Sequence, residues 1–295
     1  MSTLRIGAKL PNSGVLPQTV GIPAMARALE DAGFDSLWVS DHIVLPTSMD
    51  SRYPFAADGR ATWPSDMPYV EALIALALAA AVTERVTLGT AIVVLPLRNP
   101  VLFAKQVASI ANTVSGRFTL GVGAGWLEEE FDALNTTFAD RGPRLEEWIG
   151  LVRDCFTGRP AAHRSDRYTL PEGVLVMPPP RAPIPLLMGG HSRAALARGG
   201  RVCDGWLAQQ TLGELDIAEL SAALAQMRES ALAAGRDPAA LQVVLRIVGS
   251  TGRADELAPQ LPALIEAGVG EIIVDASFET DDLARQCAVL REGAG

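Results

Sequence analysis

Lysine is almost missing from this chain. Lys9 and Lys105 are the only ones, so arginine supplies nearly all of its 25 basic residues, against 34 acidic ones. A formal net charge of −9 argues against a general nucleic-acid binder, which needs surplus cations to neutralise phosphates. Cysteine is scarce too. Cys155, Cys203 and Cys287 lie far apart with no CxxC pair, so neither a disulfide framework nor a zinc site is expected, and a reducing compartment is. Among the three histidines, His42, His163 and His191, there is no HExxH motif, and no GxSxG elbow supports a Ser/His/Asp triad. A metal enzyme is therefore not expected. The longest apolar run, ALIALALAAAV at 72–82, falls short of the roughly 18–20 residues that span a bilayer. The opening MSTLRIGAKLP lacks the basic and apolar regions of a signal peptide. A soluble, cytoplasmic protein is expected.

What is present is alternation. Short apolar runs at 4–10, 35–40, 86–95, 117–125, 184–190, 204–209, 241–250 and 271–277 predict eight strands. Helical patterns follow them at 19–32, 69–83, 99–115, 128–134 with 143–156, 192–200, 213–234, 254–267 and 280–292. Asn99 and Pro100 supply an N-cap and first-turn signal, and Gly33 a C-cap. Eight strands apolar on both faces, each followed by a helix, predict a single (β/α)8 TIM barrel over 1–295, in the α/β class. Insertions are expected after strand two, at about 43–68, and after strands four or five, at about 157–183. An open doubly wound sheet is the second choice.

In a barrel the chemistry gathers where strands end. Strand two ends in Asp41–His42, strand three runs through Thr90–Ala91–Ile92, strand four ends in GVGAGW and strand five in MGGHS. Counting from Gly121, the sixth position of a GxGxxG fingerprint is Trp126, so a Rossmann site is not supported. Gly189, Gly190 and Ser192 open a helix and suit an anion, or simply form a capped turn. His42 suits proton donation or hydrogen bonding near neutral pH. Asp41 precedes it on the strand and so points to the opposite side, where it can hold a cofactor or the loop. His191 is a second candidate, and His163 is expected to be solvated.

GFDSLWVSDHIVLP (33–46), RVTLGTAIVVLPLRNPVLFAKQVASIANTVSGRFTLGVGAGWLEEEF (85–131) and PLLMGGHSRAALARGGRVCDGW (185–206) together resemble the luciferase-like monooxygenase superfamily, in its coenzyme F420-dependent branch. The resemblance implies an oxidoreductase moving a hydride between F420 and a small organic substrate, usually as a homodimer, and Trp126, Trp63 and Trp38 suggest that this substrate is flat and largely apolar. It implies His42 as the catalytic group. It places Asp41, Thr90, Ala91, Ile92, Ala124, Gly125, Gly189, Gly190, His191 and Ser192 at the cofactor, with a non-prolyl cis peptide between Ala91 and Ile92. Trp126 and Trp63 would line the substrate pocket, and Trp38 is either a third such residue or strand packing. The sequence departs from the glucose-6-phosphate dehydrogenases of that branch. Pro46 stands for their tryptophan, Trp126 for their glutamate, and lysines for a sugar phosphate are missing. Two alternatives stay open: a reduced-FMN monooxygenase using O2, and a non-catalytic deazaflavin- or flavin-binding barrel.

Overall fold

The computed structural model describes residues 3–56, 58–61, 63–278 and 283–295. Eight parallel strands close a barrel: β1 (Arg5–Lys9), β2 (Ser36–Val39), β3 (Thr87–Val94), β4 (Phe118–Gly123), β5 (Leu186–Gly189), β6 (Gly205–Thr211), β7 (Gln242–Val248) and β8 (Glu271–Asp275). Neighbours in the chain are neighbours in the barrel, and β1 closes against β8 with Arg5 opposite Glu271 and Lys9 opposite Asp275. The expected eight strands are all present. The 157–183 stretch precedes β5 and carries a small hairpin, His163–Arg164 against Thr169–Leu170. The predicted helix at 254–267 is broken into Ala254–Leu257, a 3-10 turn Ala258–Gln260 and Leu261–Glu266. Pro259 and Pro262 cause this, since each removes a helical N–H donor. The predicted last helix is seen as Leu283–Ala294, and its first residues fall outside the described ones.

Strand side chains alternate between the barrel interior and the helix layer. The main core lies between strands and helices, built from residues such as Ile6, Leu37, Leu88, Phe103 and Met25. Trp38, Leu187, Leu207, Val244 and Ile273 form a second, smaller cluster, which is the middle layer inside the barrel. Trp38 is therefore strand packing. Its indole N–H donates to Ser36 Oγ at 2.7 Å and to Glu271 Oε1 at 3.0 Å, which satisfies the buried nitrogen. Gly7 has no Cβ because one would sit 2.3 Å from Ser36 Oγ. With Trp38 inward, Ser40 and His42 continue the same face at the open end, and Asp41 faces out.

The β3 strand is irregular where it passes the mouth. Its pairing with β4 shifts between Thr90 and Val93, and the Ala91–Ile92 peptide is cis. Glycines make room for the bulge. A Cβ on Gly121 would lie 2.2 Å from the Thr90 carbonyl oxygen, and one on Gly123 or Gly189 would lie 2.7 Å from the Ile92 side chain. Both are too close for real atoms, so β4 and β5 carry glycine where β3 swells toward them.

Candidate active site

At the carboxyl ends of the strands, Asp41 and His42 separate as alternation requires. Asp41 is buried and points outward. Its Oδ2 accepts from the Val94 N–H at 2.9 Å, and its Oδ1 from Arg98 Nη2 at 2.6 Å. Arg98 also meets Glu71 at 2.6 Å, and its carbonyl accepts from Trp148 Nε1 at 2.8 Å. Burial pushes the Asp41 carboxyl up against the pull of Arg98 and the Val94 N–H. Both of its oxygens are spent on tying the end of β3 to the loop after it, so Asp41 acts on the loop.

His42 lies inward, its side chain 10% exposed, and its Nδ1 is 3.0 Å from Glu130 Oε2. Glu130 is the functional neighbour that sequence reasoning missed. It sits in the helix Glu128–Ala133 that follows β4, fully buried, and its Oε1 accepts from the N–H groups of Ile43 (2.6 Å) and Val44 (3.2 Å). A carboxylate accepting from all sides sets the tautomer. Nδ1 carries the hydrogen toward Glu130, and Nε2 is the nitrogen left to act. In the sequence, Glu130 is one of three glutamates in a first helical turn, where acids are expected for the helix dipole alone. Glu129 beside it has a different task. It accepts from the N–H groups of Asp50 and Ser51 and from Ser51 Oγ at 2.6–3.0 Å. Burial opposes, but these bonds win and hold its carboxyl down at about 2, which pins the 43–68 insertion to the rim.

Around His42 the insertion closes an aromatic box. Ring centroids of Tyr69, Trp63 and Trp126 lie 5.6, 6.0 and 6.2 Å from His42. Tyr53 packs edge-on to Trp63 at 5.0 Å and Trp126 at 5.2 Å. The structure thus brings His42, Trp63 and Trp126 together, with Tyr53 and Tyr69 added. The Trp63 indole nitrogen is buried with no hydrogen-bond partner among the described residues. Thr90 is buried and its hydroxyl donates to the Gly121 carbonyl at 2.8 Å, while Ala91 and Ile92 pack on the interior cluster. Ala124 and Gly125 follow β4, Gly125 with φ 83° and its carbonyl held by Arg141. Gly190, at φ 102°, turns the chain into the helix Arg193–Val202, capped by Ser192 Oγ accepting from the Ala195 N–H. His191 is fully engaged. Its Nε2 accepts from the Gln209 N–H at 3.0 Å, and Nδ1 faces Glu219 at 3.2 Å. It has no nitrogen free for a ligand. His163 is not simply solvated: from the hairpin, its Nε2 lies 2.8 Å from Glu147 of the helix Arg141–Cys155.

This geometry accords with what sequence comparison finds, for a family model described as luciferase-like monooxygenase matches residues 8–280. The chain belongs to the luciferase-like monooxygenase family. An uncharacterised protein of Mycobacterium tuberculosis is 37% identical over 183 residues, 62% of this chain and 63% of that one. The match thus spans less than two thirds of that relative's length. An F420-dependent glucose-6-phosphate dehydrogenase of Nakamurella multipartita is 28% identical over 218 residues, 72% of this chain and 58% of its own. Among solved structures, an F420-dependent secondary alcohol dehydrogenase, in complex with an F420–acetone adduct, superposes with a TM-score of 0.78. It is 19% identical, covering 99% of this chain and 98% of that one, which establishes a shared fold. In a (β/α)8 barrel the strands' carboxyl ends are where ligands meet the protein, and the residues present here fit a flat heteroaromatic cofactor with an anionic tail. Trp63 offers a buried N–H donor with no partner among the described residues, and the glycine turn before Ser192 leads directly into a helix N-terminus. Among the described residues, no helix is long and apolar enough to cross a membrane.

Proposed function

We propose that this chain is an oxidoreductase that moves a hydride between coenzyme F420 and a small organic substrate with a largely apolar body, working as a homodimer. The observation that carries the reading is the His42–Glu130 pair, set inward in an aromatic box at the mouth of a luciferase-like barrel. The names of its relatives support the choice of F420. When bound, the deazaflavin supplies the ring carbon that gives or takes the hydride.

The chain's own residues would do the rest. Gly189, Gly190 and Ser192 would hold the phosphate, while Thr90, Ala91, Ile92, Ala124 and Gly125 form one wall. Trp63 and Trp126 would cover the substrate and exclude water, which strengthens every polar interaction beneath them. His42 Nε2 would accept the hydroxyl proton as a substrate is oxidised, or return it on reduction. Glu130, facing Nδ1, steadies the imidazolium that forms when Nε2 takes the proton. Asp41 and Arg98 hold the strand end so that His42 keeps its direction. A titration decides between this reading and its alternatives. Quenching of F420 fluorescence with no uptake of FMN is expected, together with substrate-dependent bleaching or recovery of the F420 absorbance. Uptake of FMN alone would make the chain a flavin monooxygenase candidate, and F420 binding without turnover on any substrate would make it a binding barrel.

A further inference from the structure

The innermost layer at the open end of the barrel is charged, and the hydride-transfer reading makes no use of it. By strand alternation Lys9, Ser40, Gln209, Arg246 and Asp275 face inward there, on five adjoining strands or their ends. Asp275 is fully committed: one oxygen to Arg246 Nη2, the other to the Gly249 N–H at 3.0 Å. Arg246 also donates to the carbonyls of Ile247 (2.9 Å) and Ile273 (3.3 Å). That pair is neutral and closed. Lys9 is left over. Its Nζ donates at 3.1 Å to Ser40 Oγ, a neutral hydroxyl already shared with Tyr69 at 2.5 Å and Asn12 at 3.3 Å. An ammonium has three donors, so two are unspent among the described residues. Burial, and then the charge of Arg246, pull the Lys9 pKa down to about 8 against the opposing pull of Asp275. It is still a cation at neutral pH.

A partly desolvated cation with no carboxylate of its own is costly to keep, and a ligand anion would relieve that cost. Lys9 belongs to the same mouth as His42, since Tyr69 touches both ends of the arc: its ring lies 5.6 Å from His42 and its hydroxyl binds Ser40. On the far side Gln209 donates to the Tyr53 hydroxyl at 3.3 Å. Burial keeps that phenol protonated, so its own hydrogen remains to be donated.

We propose that Lys9 anchors a carboxylate subsite in the mouth and that the substrate is an aromatic or alicyclic monocarboxylate. One uncompensated positive charge in this layer matches one negative charge, and a phosphate dianion would exceed it. The Tyr53, Trp63 and Trp126 rings suit the flat body. Calling the ligand a substrate rests on the hydride-transfer reading; the subsite itself does not.

The test titrates intrinsic tryptophan fluorescence with sodium benzoate, and with benzamide as its neutral counterpart, in the wild-type chain and in Lys9→Met. Benzoate is expected to saturate the wild type and to bind roughly 10–100-fold more weakly to Lys9→Met, the range of a charge-assisted hydrogen bond. Benzamide and F420 affinities should not change, and thermal unfolding checks that Lys9→Met is folded. No saturation by millimolar benzoate in the wild type, or equal binding in both proteins, would overturn the subsite. So would a parallel loss of F420 affinity in Lys9→Met, which would assign Lys9 to the cofactor. Failure of the wild type to bind F420, with Lys9-dependent benzoate binding intact, would sink the hydride reading and leave the subsite standing.

Discussion

At the scale of single residues, the direction of one hydrogen decides the chemistry. Glu130 accepts from Ile43, Val44 and His42, so it can fix His42 only while it remains a carboxylate. His42→Ala should cut turnover roughly 10²–10⁴-fold, the range of a general acid or base, with F420 affinity largely kept. Glu130→Gln is the subtler change. Its amide can still accept from Ile43 but would donate to Nδ1, moving the hydrogen to Nε2 and reversing the role available there. Turnover should fall, and the histidine limb of the pH–rate profile should move, while the melting temperature stays close to wild type. An unmoved pH limb would make Glu130 a loop clamp only. Lys9 gives a prediction with a definite sign. It titrates near 8 folded and near 10.5 unfolded, so the unfolded chain binds more protons between those values. Its charge therefore weighs on the fold in full below pH 8, by on the order of 3 kcal/mol, and ceases to as pH rises through 10.5. Lys9→Met should melt higher than wild type at pH 7, with the gap closing between pH 8 and 10.5. A gap independent of pH would trace to packing instead.

At the scale of elements, the strands were legible because a barrel strand is apolar on both faces, and the glycines because they stand out among aliphatic residues. Their purpose was less visible. GVGAG looks like a ligand-approach motif, yet Gly121 and Gly123 yield to the neighbouring β3 strand, to Thr90 and Ile92. The two differ in what stands in the way. A Cβ on Gly121 meets backbone oxygen, while one on Gly123 meets the end of a flexible side chain. Gly121→Ala should destabilise by about 1–3 kcal/mol or prevent folding, as overpacking does. Gly123→Ala should cost less, and denaturant melts of the two variants measure the difference. The reverse ranking would mean that β3 moves more easily than Ile92 can turn. The 254–267 segment shows the opposite limit of sequence reading. Its apolar spacing is helical, but two prolines within it break the hydrogen-bond ladder into three short pieces.

Over the whole molecule, the site is a product of closure. Lys9, Gln209, Arg246 and Asp275 come from positions spread over the chain, and each looked like an ordinary strand residue. Only the register that sets Lys9 opposite Asp275, and Gln209 opposite Arg246, puts them in one layer. Asp41 and His42 are legible in the sequence because a polar pair at an apolar strand end is visible locally. A cofactor seated in that mouth would touch several strands and the insertion at once, so its binding should stabilise the barrel as a unit. With F420 at a hundred times its dissociation constant, linkage adds about 2.7 kcal/mol. For a chain of 295 residues, unfolding entropy of about 2 cal/mol/K per residue converts this into a rise of about 4 °C in melting temperature. FMN at equal concentration should leave the melting temperature unchanged if the deazaflavin reading is right. Should FMN raise it and F420 not, the barrel and its His42–Glu130 pair would stand, and the chemistry assigned to them would pass to a flavin.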